Sequence, residues 1–355
     1  MKITFIISTL NSGGAERVLV TLANEFCKNH EVKIIKFNQE KSFYPLNESV
    51  EVKSLPYFKN QNLKDRILAR IYRFFALRKA MLEDNADIFI SFLDTTNIAC
   101  IFAKWGIKTP LIISEHSHQS YLKSKIWRFL RRISFGYCNA LCVLGSSDKK
   151  YYEKFVKNVK VLLNPCHFTL SDKTDIKKEK IVIFVGRLDE NKNASMFIRA
   201  VKNLNLELRQ KYRFCIAGEG VLRQNLENEA KIAGVNIEFL GRVEDMKSLY
   251  QRAEILCLCS FVEGLPTVLI ESLFFDVLRI STDYTDGARD LIADEKDGFI
   301  VPKNDDLALS QSLTRVMENK NLREKILANA SKKCKEFDTG FIASQWLDLI
   351  EEVRK

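Results

Sequence analysis

Ile181-Val182-Ile183-Phe184-Val185-Gly186-Arg187-Leu188 is the stretch on which the fold turns. Five consecutive apolar residues, four of them β-branched, read as a strand buried on both faces, and Gly186 ends it in a loop. The same pattern recurs on both sides. Upstream, Ile3 to Ile7, Glu31 to Phe37, Asp87 to Phe92, Leu111 to Ser114 and Ala140 to Leu144 are strand-like. Downstream, so are Arg213 to Ala217, Ile237 to Leu240, Ile255 to Cys259 and Val277 to Ser281. Amphipathic segments lie between them, the first with Val18, Leu19, Leu22, Ala23 and Phe26 at helical spacing. Alternation of this kind predicts parallel sheets covered by helices.

The alternation is interrupted once. After Leu163 come Asn164-Pro165 and a lysine-rich stretch through Lys180 with no apolar period. The expected organisation is therefore α/β, with two doubly wound Rossmann-like domains facing each other across a cleft. Residues 1–168 form the first, 169–180 a linker and 181–337 the second, and 338–355 form a closing helix with its apolar residues between Phe341 and Val353. Ligands of such sheets bind at the carboxyl ends of the strands, so the loops there are where function is expected.

Composition narrows the function classes. The 355 residues are 46% hydrophobic with 14 Gly and 6 Pro, which excludes a disordered chain. The nine cysteines cannot all pair and mostly sit in apolar runs, as buried thiols of a reducing compartment do. Cys138 and Cys142 have no second Cys or His pair at zinc spacing. The first residues form too short an apolar run for a signal peptide, and no stretch reaches the roughly 18 apolar residues of a membrane span. A cytoplasmic protein with at most peripheral membrane contact is expected. The net charge of +10 is uneven, because residues 1–170 hold 26 Lys/Arg against 14 Asp/Glu. The remainder is close to neutral, so a polyanionic partner is expected for the first half only.

Three loops carry chemistry. Ser12-Gly13-Gly14-Ala15-Glu16-Arg17 lies between the first strand and helix. Its glycines admit a close backbone approach and leave amides free for an anion, although a tight turn alone would use them too. It is not Gly-x-Gly-x-x-Gly, which argues against a dinucleotide oxidoreductase. Arg187, with Lys192 shortly after, forms a cationic clamp for a diphosphate or else two surface bases. Glu263-Gly264-Leu265-Pro266-Thr267-Val268-Leu269-Ile270-Glu271 is the most informative. Pro266 suits the first helical position, so the amides around Thr267 and Val268 would face an anion. Glu263 and Glu271 on either side could accept from sugar hydroxyls, which is the outline of a sugar nucleotide.

Taken together in this order, the Gly-Gly-Ala-Glu-Arg loop, Gly-Arg-Leu with Lys192, and Glu-x7-Glu at 263 and 271 resemble the retaining, GT-B-fold glycosyltransferases of family four. The resemblance spans essentially the whole chain. It implies that Arg187 and Lys192 hold the donor diphosphate, that Glu271 binds the ribose and Glu263 contacts the transferred sugar, and that Gly13 and Gly14 lie under the diphosphate near the acceptor. Ile113-Ser114-Glu115-His116-Ser117, Leu163-Asn164-Pro165-Cys166-His167-Phe168 and Cys257-Leu258-Cys259-Ser260-Phe261 are similar to the N-acetylgalactosaminyltransferases of bacterial N-linked protein glycosylation. By that resemblance His116 is the active-site histidine that meets the donor sugar. The donor it implies is UDP-N-acetylgalactosamine and the acceptor an undecaprenyl-diphosphate oligosaccharide extended by α1,4-linked residues. A relative using another UDP-hexose for lipopolysaccharide or capsule is the alternative within the class, and a non-catalytic nucleotide- or membrane-binding protein the alternative outside it.

No Asp-x-Asp triplet occurs in the chain, so no metal cofactor is expected. Leaving-group charge would instead meet Arg187, Lys192 and the amides at Thr267 and Val268. Front-face attack with retention is expected, the leaving phosphate taking the acceptor's proton.

The basic half offers two further features. In Leu63 to Leu82, Arg66, Arg70 and Arg73 fall near 0°, 40° and 340° at about 100° per residue, with Ile67, Ile71, Phe74 and Phe75 on another ridge. The arginine ridge is either a solvated charge face or a grip for the acceptor diphosphate or lipid headgroups. Lys123, Lys125, Arg128, Arg131 and Arg132 interleave with Ile126, Trp127, Phe129 and Leu130, which suits an anionic bilayer surface, with Trp127 at headgroup level. No nucleic-acid recognition motif accompanies the charge. The expected location is the cytoplasmic face of the inner membrane.

Overall fold

A computed structural model describes residues 1–56, 63–174, 176–284 and 287–355, the side chains of 63–67 excepted. The chain divides into two compact units, Met1–His167 with Asp338–Lys355, and Phe168–Phe337.

The first unit holds strands β1 (Lys2–Ile7), β2 (Glu31–Lys36), β3 (Glu51–Ser54), β4 (Ile88–Phe92), β5 (Leu111–Ser114), β6 (Ala140–Val143) and β7 (Val159–Val161). They form one parallel sheet in the order β3-β2-β1-β4-β5-β6-β7. The period of two along each strand sorts side chains into two cores. Phe5, Ile88, Ile90 and Phe92 face one cluster with Val18, Leu22 and Phe26 of the helix Gly14–Phe26. Ile6, Phe89 and Ile113 face the other, with Leu77, Ile98 and Ile101.

The second unit repeats the plan with β8 (Ile181–Val185), β9 (Arg213–Ala217), β10 (Glu238–Gly241), β11 (Ile255–Leu258), β12 (Leu278–Thr282) and β13 (Phe299–Val301). Their order is β10-β9-β8-β11-β12-β13, again all parallel. In each sheet the strand order reverses beside the first strand, between β1 and β4 and between β8 and β11. The crevices of the fold open there, at the carboxyl ends.

Several details depart from the sequence reading. The helix Thr339–Arg354 belongs to the first unit, where Ile342, Trp346, Leu349 and Ile350 enter its core. Each such side chain contributes about 1.5–3 kcal/mol on burial, so the helix is integral to that core. Residues 169–180 fall within the second unit, where Lys247 and Gln251 bind Asp172 and Lys178 Nζ donates to the Tyr250 carbonyl at 2.7 Å. The short strands β3, β7 and β13 escape a reading tuned to longer apolar runs.

The helix Leu63–Leu82 turns Ala69, Leu77, Ala80 and Met81 inward and leaves Ile71 and Phe75 exposed. Of the expected apolar ridge, Phe74 packs against this core while Ile71 and Phe75 face outward, and the side chain of Ile67 lies outside the described residues. Arg70 is exposed and Arg73 half-buried, while the side chain of Arg66 lies outside the described residues. The helix Lys125–Ser134 is corrected likewise. Trp127 and Leu130 pack toward the core, and Ile126, Phe129 and Ile133 face out. Arg131, expected at the lipid surface, is 1% exposed.

Candidate active site

The second unit presents its functional residues at the β8/β11 reversal. Gly186 ends β8, and the stem of Lys192 runs back across it, its Cδ 3.4 Å from where a Cβ would stand. Asp189 organises this loop: its carboxylate accepts from the Lys192 amide at 3.0 Å and pairs with the exposed Arg187 guanidinium at 3.2 Å. Asn191 stitches the loop to the one after β11. Its side chain donates to the Val262 carbonyl at 2.9 Å and accepts from the Val262 amide at 3.1 Å, and its carbonyl accepts from the Phe261 amide at 2.8 Å. That stitching brings Glu263 to Lys192, with Oε1 2.5 Å from Nζ and both side chains largely buried. The pair spans 71 residues of sequence and is made by strand adjacency.

A third loop closes the same corner. The Leu188 amide donates to the Glu219 carbonyl at 2.9 Å, and the Gly218 amide to the Gly241 carbonyl at 2.7 Å. Gly218 has φ +149°, and any Cβ there would collide with the Gly186 carbonyl. The sequence signal for this loop, Gly218-Glu219-Gly220 directly after β9, was available and had not been singled out.

Beyond Glu263, the helix Thr267–Glu271 continues as a 3-10 segment Ser272–Phe275. Pro266 is its N-cap, one position earlier than expected, so Thr267 and Val268 carry the first-turn amides. Glu271 ends the α-helical part 6% exposed, and its Oε2 accepts from the Tyr250 hydroxyl at 2.9 Å.

In the first unit, Gly13 caps the helix Gly14–Phe26 with φ −100°. Glu16 folds back over it, held by the Thr9 hydroxyl at 3.0 Å, and a Cβ on Gly13 would collide with that carboxylate. His116 follows β5. Its Nε2 meets Ser114 Oγ at 2.9 Å, and its ring stacks on Phe92 at 4.8 Å, which in turn stacks on Trp346 at 6.3 Å. Desolvation lowers the imidazole to about 3, against a hydrogen bond with Asn164, so it is neutral near pH 7.

Behind His116 lies a buried polar cluster that the sequence reading missed. Asn97 donates to the Ser114 carbonyl at 2.9 Å and to Glu115 Oε1 at 2.5 Å, and Arg131 Nη1 donates to Asp94 Oδ1 at 3.1 Å. Burial first, then the Asp94 charge, pushes the Glu115 carboxyl well above its ordinary range. Asp94 is raised too, by burial that outweighs Arg131. The cysteines follow the expectation: none of the nine forms a disulfide, and seven are buried.

Each unit thus carries several of the residues expected at the site on the connections that follow its strands. Known proteins agree with that division. The family described as Glycosyltransferase Family 4 matches residues 12–166, and the family described as Glycosyl transferases group 1 matches residues 167–333. The chain is 58% identical over 356 residues, 100% of it and 99% of the relative, to a Campylobacter jejuni protein. That relative is named GalNAc-alpha-(1->4)-GalNAc-alpha-(1->3)-diNAcBac-PP-undecaprenol alpha-1,4-N-acetyl-D-galactosaminyltransferase. A second C. jejuni protein, N-acetylgalactosamine-N,N'-diacetylbacillosaminyl-diphospho-undecaprenol 4-alpha-N-acetylgalactosaminyltransferase, is 30% identical over 96% of this chain and 97% of its own. Among solved structures, Anabaena HepE in complex with UDP-glucose shares the fold with a TM-score of 0.82, at 16% identity over 99% of this chain and 100% of the other.

Proposed function

This chain belongs to the glycosyltransferases of group 1 and family 4, and we propose that it transfers N-acetylgalactosamine from UDP-N-acetylgalactosamine, in α-1,4 linkage, to an undecaprenyl-diphosphate-linked oligosaccharide in N-linked protein glycosylation. The full-length 58% identity to the C. jejuni α-1,4-N-acetylgalactosaminyltransferase carries the reading. Lys192 and Glu263 meet where the connections after β8 and β11 adjoin, and Arg187 and Glu271 lie on those same two connections, which supports it.

In this reading Arg187 and Lys192 neutralise the donor diphosphate, and the amides of Thr267, Val268, Gly13 and Gly14 add fixed donors for charge that grows as the nucleotide leaves. The Lys192–Glu263 contact must then loosen, so that the ammonium turns to phosphate and the carboxylate to the sugar. Glu271 accepts from the ribose. His116, neutral by burial, serves as a hydrogen-bonding group for the sugar and not as a cation. Attack comes from the face the leaving group departs, retaining configuration, and the departing phosphate takes the acceptor's proton. Arg66, Arg70 and Arg73 grip the acceptor diphosphate. No metal takes part, since these fixed donors supply the positive charge.

No helix among the described residues is long and apolar enough to cross a membrane. Outward-facing Ile126, Phe129 and Ile133, among exposed Lys125, Arg128 and Arg132, suit docking on anionic lipid at the cytoplasmic face of the inner membrane. Mass spectrometry of products from a panel of UDP-sugars and a short lipid-linked acceptor tests the function. Addition of N-acetylgalactosamine with α-1,4 linkage, undiminished by EDTA, is expected. Transfer from another UDP-hexose overturns the donor, and EDTA sensitivity overturns the metal-free route.

A further inference from the structure

We propose that Tyr250 is the positioning residue that sets the Glu271 carboxylate to receive vicinal ribose hydroxyls. The inference rests on the assignment of Glu271 to the ribose and deepens it. A carboxylate at the end of a glutamate rotates in a broad, two-fold well, so a free Glu271 would spread its lone pairs over many directions. The Tyr250 hydroxyl donates to Oε2 at 2.9 Å and selects one plane. Both residues are buried, Tyr250 completely.

The phenol is held on every side the contacts describe. Its ring stacks on Phe275 at 5.9 Å and 15°, and Phe168 meets it edge-on at 6.3 Å. Its carbonyl accepts from Lys178 Nζ at 2.7 Å, and its helix Met246–Arg252 begins with the Asp245 side chain accepting from the Ser248 amide at 3.0 Å. The hydroxyl therefore reaches Glu271 from a fixed base. An ionised carboxylate has about four lone-pair sites, of which the phenol takes one. Two adjacent hydroxyls on one ring read the plane it sets better than a single hydroxyl would.

The test compares binding of UDP and 2′-deoxy-UDP to the full chain by calorimetry, with donor kinetics alongside. Wild type should prefer UDP. Tyr250→Phe keeps the stacked ring and should lose about tenfold of that preference, the scale of one hydrogen bond to a charged group. Its affinity for 2′-deoxy-UDP, which keeps only the 3′-hydroxyl contact, should fall by less than its affinity for UDP, and its kcat at saturating donor should stay within about twofold, since the lost contact acts in binding. Glu271→Ala should abolish the preference. An intact preference in Tyr250→Phe, or an equal loss for both nucleotides, overturns the proposal while leaving the ribose assignment standing. An intact preference in Glu271→Ala overturns the ribose assignment itself. Should Tyr250→Phe prove too unstable to titrate, Glu271→Gln tests the pair from the other side. Its amide oxygen can still accept from the phenol, so it should keep more preference than Glu271→Ala, and equality of the two overturns the proposal.

Discussion

Replacing Arg131 by Met would remove the cation from the polar cluster behind His116. Arg131 is 1% exposed and binds Asp94 at 3.1 Å and the Gln119 carbonyl at 3.0 Å, with its guanidinium within 5.6 Å of the Tyr151 and Tyr152 ring centres. Glu115 and Asp148 would remain buried without it, and Asp94 largely so. Deleting one member of a buried pair costs about 3–5 kcal/mol, because the other charge stays desolvated and unpaired. For a unit of this size that corresponds to a fall of roughly 6–20 °C in melting temperature. Scanning calorimetry of Arg131→Met against wild type and against Arg128→Met, an exposed neighbour that should shift stability by less than about 0.5 kcal/mol, reads the difference. The deficit should also depend on pH. Asp94 and Glu115 have folded pKa values raised above their unfolded ones, so their protonated forms favour the folded state, and that contribution is complete below the unfolded values and lost as pH rises through the folded ones. Neutral carboxyls need Arg131 less, so the gap between variant and wild type should narrow on acidification. A loss below about 1 kcal/mol, matching Arg128→Met, would refute the reasoning and return Arg131 to the surface.

Three other outcomes are expected. Lys192→Ala should lower sugar-dependent UDP release by about 10²-fold or more, as loss of a fixed transition-state donor does, and a loss under tenfold would remove Lys192 from the leaving-group site. His116, held near 3, should show no titration of its imidazole between pH 5 and 8 by NMR, and a midpoint near 6.5 would mean the ring is solvated. Phe129→Ser together with Arg128→Ser should weaken flotation with anionic vesicles while leaving UDP affinity unchanged, whereas wild-type flotation would place the lipid contact elsewhere.

The double sheet was legible because its central strands are mostly apolar and β-branched, as in Ile181 to Val185, even where charged residues such as Glu31 and Arg213 stand at their ends. Glu263, Glu271, Arg187 and Lys192 were legible as a motif, yet their partners were not. Lys192 finds Glu263 only because β8 and β11 are neighbours, and nothing local marks Asn191 as the stitch between their loops. Arg128 and Arg131 look alike in sequence, three residues apart on one basic helix. The partner that buries Arg131 lies 37 residues upstream, beyond any periodicity argument.

The return of the last helix to the first unit has a consequence for synthesis. Domains fold largely in the order they leave the ribosome, but here the first unit waits for the helix Thr339–Arg354, which follows the whole second unit. Until Trp346 arrives, Phe92 lacks its stacking partner and the shelf beneath His116 is incomplete. The second unit has all its residues by Phe337 and can close first. A nascent chain of this protein would then complete its second unit before its first, although most of the first was translated earlier. A premature stop within the final helix would leave a folded second unit attached to a first unit with an open core.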